Sequence, residues 1–358
     1  MNEKPLIILT AGGTGGHVMP AQALAAELIE REYRVQIITD ARGMKYAKGF
    51  GDLKIHQIEA GTFGLGMPKL MRGILQSASI LFKEKPAAIV GFGGYPAFPA
   101  TFAGQLLGTP TVLHEQNAIF GKANKALAIL ALKIGLSWPN SRGLSKGEQK
   151  RAEVTGNPIR ADIAKLAGHK YPEIKDTLNI LVMGGSLGAT VFSEVLPEAF
   201  ANLSEDQKSR LNIRQQCREA DLGGVKKAYA EANIKAELST FIDDVPQALA
   251  KAHLFIGRSG ASTVAEIGAA GLPAIFVPYP HHKDQQQKLN AESISEQGGA
   301  WTFTEDVFDS ALLKSHIEGF LAEPKILKTA AAKSKACANP DAAAKLAKLV
   351  ETVITTKG

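Results

Sequence analysis

LIILTAGGTGGH (residues 6–17) and NILVMGGSLGA (residues 179–189) decide the fold. Each is a short apolar run that ends in clustered glycines and opens into an amphipathic stretch, which predicts a strand, a tight turn and a helix in that order. Such a turn brings backbone N–H groups and a helix N-terminus to one spot, a seat for an anionic ligand. The chain has 358 residues and 45% hydrophobic content, enough for two cores, so the recurrence predicts two similar domains. Only the first turn ends in a histidine, His17. That asymmetry separates a candidate reactive centre from a candidate binding half.

Further apolar runs alternate with helical patterns: residues 35–39, 55–58, 88–90, 111–113, 178–183, 254–256 and 274–277. Successive apolar positions joined by helical crossovers predict parallel sheets covered on both faces, hence an α/β chain of two doubly wound, Rossmann-like domains. Ligands then belong at the strand C-termini. Residues 86–113 carry no charge, but Gly91, Gly93, Gly94, Pro96, Pro99 and Pro110 interrupt them, and they parse as strand, glycine turn, helix and strand rather than a membrane span. GNPIR (residues 156–160) supplies the boundary, near Arg160. The tail from Asn339 reads as a helix with Leu346, Leu349, Val350 and Val353 on one face, able to pack on either domain.

Cys217 and Cys337 are the only cysteines, with no CxxC pair, so neither a disulfide framework nor a zinc site is expected and a reduced cytosol is the natural compartment. The opening MNEKPLIILT has too short an apolar run for a signal-peptide core. A formal charge of +6 favours anionic partners such as nucleotides or phospholipid headgroups. With 6% aromatic residues and no base-reading helix, nucleic acid is not expected.

AGGTGGH departs from the dinucleotide fingerprint, since Val18 stands where the third glycine belongs, and it lacks the GK[ST] of a P-loop. Gly12, Gly13, Gly15 and Gly16 allow close backbone approach to a ligand, and Thr14 adds a hydroxyl. His17 is there either as a helix-start residue that bonds the turn or as a reactive base. In RSGASTVAEI (residues 258–267) small residues again open a helix, a seat for a diphosphate. Glu266, one turn inside, either accepts from vicinal hydroxyls or only complements the helix dipole. Asp284, Gln286 and Gln287 begin a helix and suit a hydroxyl-rich ligand, or decorate the surface. HEQN (residues 114–117) and GFGGYP (residues 91–96) lie at strand C-termini, as loop-stabilising or ligand-binding groups, and Arg160 meets a phosphate or a carboxylate. No DxD in a suitable sheet context and no GxSxG are present, so neither a required metal, nor a cofactor, nor a covalent nucleophile is indicated.

Taken in order, GGTGGH, GFGGYP, HEQN, GNPIR, GGSLGA, FIDD (residues 241–244), RSGASTVAEI, GLPAIFVPYP and HKDQQQ resemble the MurG family, and they span nearly the whole chain. The resemblance implies the GT-B fold, two Rossmann-like domains facing a cleft. Residues 1–160 would form the acceptor and membrane-facing domain, with the C-terminal helix 339–358 packed back on it, and residues 161–338 the UDP-N-acetylglucosamine domain. It implies transfer of N-acetylglucosamine from UDP-N-acetylglucosamine to the C4 hydroxyl of the muramyl sugar in undecaprenyl-pyrophosphoryl-muramyl-pentapeptide (lipid I), giving lipid II for peptidoglycan synthesis. The step would be a single displacement with inversion at the cytoplasmic face of the inner membrane.

Carried over, His17 is the general base and Tyr95, His114 and Glu115 bind the acceptor. The backbone at Ile242 reads uracil, Glu266 holds the ribose, and Ser186 with Ala261, Ser262 and Thr263 borders the diphosphate. Asn117, Gln286 and Gln287 face the sugar, Arg160 lies by the nucleotide, and Thr14, Gly15 and Gly16 close over phosphates. Gln215, Gln216, Cys217 and Arg218 depart from the family's HQxG-like turn. Implied partners are the two substrates, an anionic membrane surface, and proteins of cell-wall synthesis and division.

Residues 67–85 are the candidate membrane helix, with Leu70, Ile74, Leu75, Leu81 and Phe82 flanked by Lys69, Arg72, Lys83 and Lys85, although a crossover helix covering the sheet has the same pattern. Another GT-B enzyme, such as a diacylglycerol glycosyltransferase or a UDP-N-acetylglucosamine 2-epimerase, is the alternative function, and a non-catalytic nucleotide-binding module is a third.

Overall fold

The computed structural model describes residues 4–62, 64, 66–185 and 188–355. The chain divides into two compact units, Met1–Ala161 with Asn339–Gly358, and Asp162–Ala338. The division lies one residue past the expected linker position.

The first unit holds β1 (Leu6–Thr10), β2 (Arg34–Thr39), β3 (Lys54–Gln57), β4 (Ala88–Gly91), β5 (Thr111–Glu115), β6 (Lys133–Leu136) and β7 (Ala152–Val154). They form one parallel sheet in the order β3-β2-β1-β4-β5-β6-β7. The second unit holds β8 (Leu178–Met183), β9 (Leu211–Gln216), β10 (Ala236–Ser239), β11 (Leu254–Gly257), β12 (Ala274–Phe276) and β13 (Ala300–Thr302), parallel in the order β10-β9-β8-β11-β12-β13. In both sheets the strand order reverses beside the first strand, between β1 and β4 and between β8 and β11. Loops leaving those neighbouring strands diverge to opposite faces and open a crevice, the usual ligand position in doubly wound sheets. AGGTGGH and GFGGYP occupy one such point, and Gly184, Gly185 and RSGAS the other.

The central strands are built on buried apolar runs because helices cover both sheet faces. Residues of β1 and β4, from Leu6 to Leu9 and from Ala88 to Val90, are 0–4% exposed. On one face lie α1 (Gly15–Glu30) and the tail helix Ala342–Thr355, which buries Leu346, Leu349, Val350 and Val353 in the same cluster as Leu24 and Leu28. Arg31 also bonds both carboxylate oxygens of Glu351, at 3.2 and 3.1 Å. On the other face lie α2 (Met67–Glu84), α3 (Gly94–Leu106) and the short α4 (Lys122–Leu127).

Helix α2 serves two environments, which corrects part of the membrane-helix expectation. Leu70, Gly73, Ser77 and Leu81 face the protein, and Ile74 is partly buried. The exposed apolar stripe is Met67, Met71, Leu75 and Phe82, from 41% to 74% exposed, so of the five apolar residues expected to face lipid only Leu75 and Phe82 are exposed. Leu106 and Leu107 at the end of α3, and Ile129, Leu130 and Leu132 after α4, are exposed as well. Among the described residues no helix is long and apolar enough to cross a membrane.

Candidate active site

In the first unit the glycine turn is held from below. Asp40, at the end of β2, accepts from the amides of Gly13 (3.1 Å) and Gly43 (2.9 Å) through one oxygen and pairs with Arg42 through the other (2.9 Å). A side chain at Gly12 would lie 2.6 Å from that carboxylate and 2.7 Å from Pro96, so only glycine fits. Helix α1 starts at Gly15, two residues before the expected start, and places His17 inside its first turn. Thr14 and Gly16 are exposed at the helix mouth, with Gly15 buried beside Tyr46.

The His17 ring does not bond its own turn. Its Nδ1 lies 2.9 Å from the Phe92 carbonyl after β4 and 2.8 Å from Gln116 Oε1 after β5, so neighbouring strand ends grip one nitrogen. Beside Nε2 is Gly94, which with Gly93 has a left-handed φ (71° and 74°). A Cβ at Gly94 would stand 3.2 Å from Nε2. Tyr95 follows, 38% exposed at the start of α3.

His114 and Glu115, expected to touch the acceptor, are 0% and 2% exposed and are fully engaged within the protein, because the central strand β5 keeps its last residues inside. His114 Nε2 bonds the Gly156 carbonyl at 3.0 Å, and its Nδ1 meets Gln116 Nε2 at 3.0 Å. Burial holds the His114 pKa down at about 4, so the ring is neutral at pH 7. The Glu115 carboxylate accepts from the Asn117 amide N–H and Nδ2 (3.1 and 3.2 Å), from the Gly121 amide (2.9 Å) and from Asn124 Nδ2 (2.9 Å). It therefore fixes the loop carrying the half-buried Asn117, and neither residue has a polar atom left for a ligand. Arg160 is half-buried near the end of this unit. Gln116, 1% exposed, lies inside the candidate HEQN stretch, but the sequence assigns it no role of its own. Its place between three polar residues leaving a buried strand was the available signal.

In the second unit β8 ends at Gly184 and Gly185, and Ser186 lies outside the described residues. Gly188 (φ 69°) packs against Arg218 at the end of β9, where a Cβ would meet the arginine stem at 2.5 Å. In the Gln215–Arg218 departure, Gln215 and Cys217 are buried, whereas Arg218 is exposed. Gln215 accepts from Tyr229 at 2.6 Å, and Arg218 pairs with Asp221. After β10, Phe241 is 68% exposed while the Ile242 side chain is buried.

From Gly260 the helix Ala261–Ala270 begins, and Gly260 at its N-cap supplies no side-chain hydrogen bond. Ser262, Thr263 and Glu266 are all half-buried and share a face by their three- and four-residue spacing. The Ser262 Oγ is buried and has no hydrogen-bond partner among the described residues. Ser259 Oγ donates to the Gln287 carbonyl at 2.8 Å, and Gln287 Oε1 accepts from the Tyr279 amide at 2.9 Å. This brings the start of the helix Gln286–Ser295 to the end of β11, with Gln286 Nε2 3.2 Å from His282 Nδ1. Arg258, likewise assigned no role of its own, holds the loop after β12: it donates to the carbonyls of Val277 and Pro278 and pairs with Glu305.

Two family models match the chain: the glycosyltransferase family 28 N-terminal domain over residues 7–136, and the family 28 C-terminal domain over residues 179–348. A Rhodospirillum centenum protein named UDP-N-acetylglucosamine–N-acetylmuramyl-(pentapeptide) pyrophosphoryl-undecaprenol N-acetylglucosamine transferase is 44% identical, over 96% of this chain and 93% of its own length. Its namesake from Zymomonas mobilis is 43% identical, over 99% and 94%. The crystal structure of Acinetobacter baumannii MurG superposes with a TM-score of 0.81 at 30% identity, covering 98% of this chain and 99% of that one. The UDP-GlcNAc 2-epimerase of Neisseria meningitidis, at 12% identity and a TM-score of 0.70, shares the fold alone. Two parallel-sheet units with their glycine turns at the switch points, both halves of family 28 and full-length relatives above 40% identity have one reading: this chain belongs to the MurG family of glycosyltransferases, with the GT-B fold.

Proposed function

We propose that the protein transfers N-acetylglucosamine from UDP-N-acetylglucosamine to the C4 hydroxyl of the muramyl sugar of lipid I, forming lipid II. One observation carries the chemistry: His17 is gripped at Nδ1 by two oxygens while Nε2 adjoins the glycine at position 94. Nε2 takes the proton of the attacking hydroxyl as the bond to the anomeric carbon forms. Attack from the face opposite UDP inverts that carbon. In the second unit the first N–H groups of the helix at Ala261, with the Ser262 and Thr263 hydroxyls, stabilise the charge growing on the departing diphosphate. Ser186 joins them, Glu266 holds the ribose, and the Ile242 backbone reads uracil. Asn117, Gln286 and Gln287 bind the sugar, Arg160 the nucleotide, and Thr14, Gly15 and Gly16 bind phosphate. Tyr95 contacts the acceptor directly, whereas His114 and Glu115 act through the residues they hold.

The protein works on the cytoplasmic face of the inner membrane, where the exposed stripe of α2 and its basic neighbours Lys69, Lys83 and Lys85 meet anionic lipid. Proteins of cell-wall synthesis and division are its expected neighbours there. The test is transfer from UDP-N-acetylglucosamine to purified lipid I. A positioned base contributes about 10² to 10⁴ in rate, so His17→Ala loses that much turnover while still binding donor. Near-normal turnover by the variant rejects the assignment.

A further inference from the structure

Resting on the reading of His17 as the base, we propose that Gln116 and His114 are positioning residues that fix which nitrogen of His17 carries its proton, through a polarised chain of hydrogen bonds starting at the Gly156 carbonyl. A carbonyl oxygen only accepts, so His114 Nε2, 3.0 Å away, carries a proton. His114 is neutral, so its Nδ1 is left as an acceptor. The group facing it at 3.0 Å is therefore the Gln116 amide nitrogen, which also lies 3.2 Å from the His114 carbonyl. That orientation turns Gln116 Oε1 toward His17 Nδ1, at 2.8 Å. An amide oxygen only accepts, so Nδ1 of His17 holds the proton and Nε2 keeps the lone pair. The Phe92 carbonyl, 2.9 Å from the same nitrogen, shares that one proton with Gln116 Oε1.

The chain is built to hold its direction. His114 and Gln116 are 0% and 1% exposed, so water does not compete for their bonds. The Gln116 carbonyl accepts from Trp138 Nε1 at 3.1 Å, which fixes its backbone. Gly156 has a φ of 82° and donates to the Leu136 carbonyl at 3.1 Å, and a side chain there would stand 2.6 Å from Asn339. The other titratable groups nearby are Asp40, Arg42 and Tyr46 around the glycine turn, Tyr95 on α3, and Glu115, whose oxygens face the Asn117 loop. None of their contacts described above is to His17 Nδ1.

Nitrogen-15 NMR of the full chain with labelled histidine tests this directly. At neutral pH, His17 is expected with Nδ1 protonated and Nε2 bare, and His114 with the opposite tautomer. His17 protonated on Nε2 overturns the proposal with no variant needed. In Gln116→Glu a carboxylate faces Nδ1 and favours the imidazolium, so the His17 titration point rises by about one pH unit or more, as does the acid limb of the kcat profile. In Gln116→Leu, kcat falls about tenfold or more with the KM for UDP-N-acetylglucosamine unchanged. A His17 titration unmoved in Gln116→Glu also overturns the chain. The two readings fail separately: an active His17→Ala variant rejects the base and leaves the NMR result standing, whereas an unmoved titration rejects the chain and leaves the base.

Discussion

Gly94→Ala isolates the access of the proposed base, His17, to its substrate. The residue sits at φ 71°, so an alanine there adopts a left-handed backbone at a cost of about 1–2 kcal/mol. Its methyl group would lie 3.2 Å from His17 Nε2 and 3.3 Å from the adjoining ring carbon, inside van der Waals contact. The ring cannot swing away freely, because the bonds at 2.9 and 2.8 Å hold Nδ1. The new methyl therefore occupies the place from which a hydroxyl must come within about 3 Å of Nε2. A misplacement of about 1 Å in such a geometry costs on the order of 10² in rate, and that is the expected fall in kcat with lipid I, with donor binding unchanged. Gly108→Ala is the control, since Gly108 has φ 70° and open space where its Cβ would be. Both variants should lose about the same 1–2 kcal/mol in chemical denaturation, and only Gly94→Ala should lose turnover. Wild-type kcat in Gly94→Ala, or an equal loss of kcat in the two, refutes the reasoning.

Other outcomes follow from the packing. Leu346→Ala should destabilise the first unit by about 2–5 kcal/mol in urea unfolding, because Leu346 is fully buried under α1, whereas Glu351→Ala should cost under about 1 kcal/mol, since both partners of its pair with Arg31 are 30% exposed. His114 has a folded pKa of about 4 against an ordinary 6.5, so its contribution is fully present above pH 6.5 and is lost as the pH falls through 4; this amounts to at most about 3 kcal/mol, read as the difference in acid sensitivity between the protein and His114→Asn. Serine at Met71, Leu75 and Phe82 together should weaken flotation with anionic vesicles severalfold while leaving stability nearly unchanged, and undiminished flotation would remove the α2 stripe from the membrane contact.

How much the sequence reveals depends more on the apolar run within a strand than on its place in the sheet: the edge strand β3 is legible from residues 55–58, whereas β6, flanked by β5 and β7, is not. β1, β4, β5, β8 and β11 are flanked on both sides and covered on both faces, so each is built around a buried apolar run that the sequence shows. β7, β10 and β13 lie at sheet edges and are three or four residues long. β9 alternates between buried residues and the half-buried Asn212, Arg214 and Gln216, and none of these four was read as a strand. The site divides in the same way. Glycine turns declare themselves because a backbone that must pass close to a carboxylate or a proline ring leaves few choices of residue. Gln116 and Arg258 do not, because their roles come from partners distant in sequence: Gln116 meets His17 across 99 positions, and Arg258 meets carbonyls 19 and 20 positions away.

The same topology places different chemistry at the two switch points, and the reason is what closes each crevice. Between β1 and β4, the first turn of α1 carries a ring long enough to reach the Phe92 carbonyl across the gap, and the neighbouring loop after β5 supplies Gln116. One ring nitrogen is used for structure, and the other is left for a proton. Between β8 and β11 the residues are small: Gly184 and Gly185 on one side, and Gly260 to Thr263 on the other. There the tie is made behind the helix start, by Ser259 to the Gln287 carbonyl and by Asn290 Nδ2 to the Ser259 carbonyl at 3.3 Å, while the N-cap, Gly260, has no side chain to cap the helix in front. On the proposed reading, the crevice lined by N–H donors and hydroxyls serves the leaving diphosphate, and the crevice with His17 holds the ring that takes the proton. Exchanging the features should therefore fail in a defined way. A histidine in place of Thr263 would lack the two oxygens that hold Nδ1 in the first unit, and it should weaken UDP binding without restoring transfer to a His17→Ala chain.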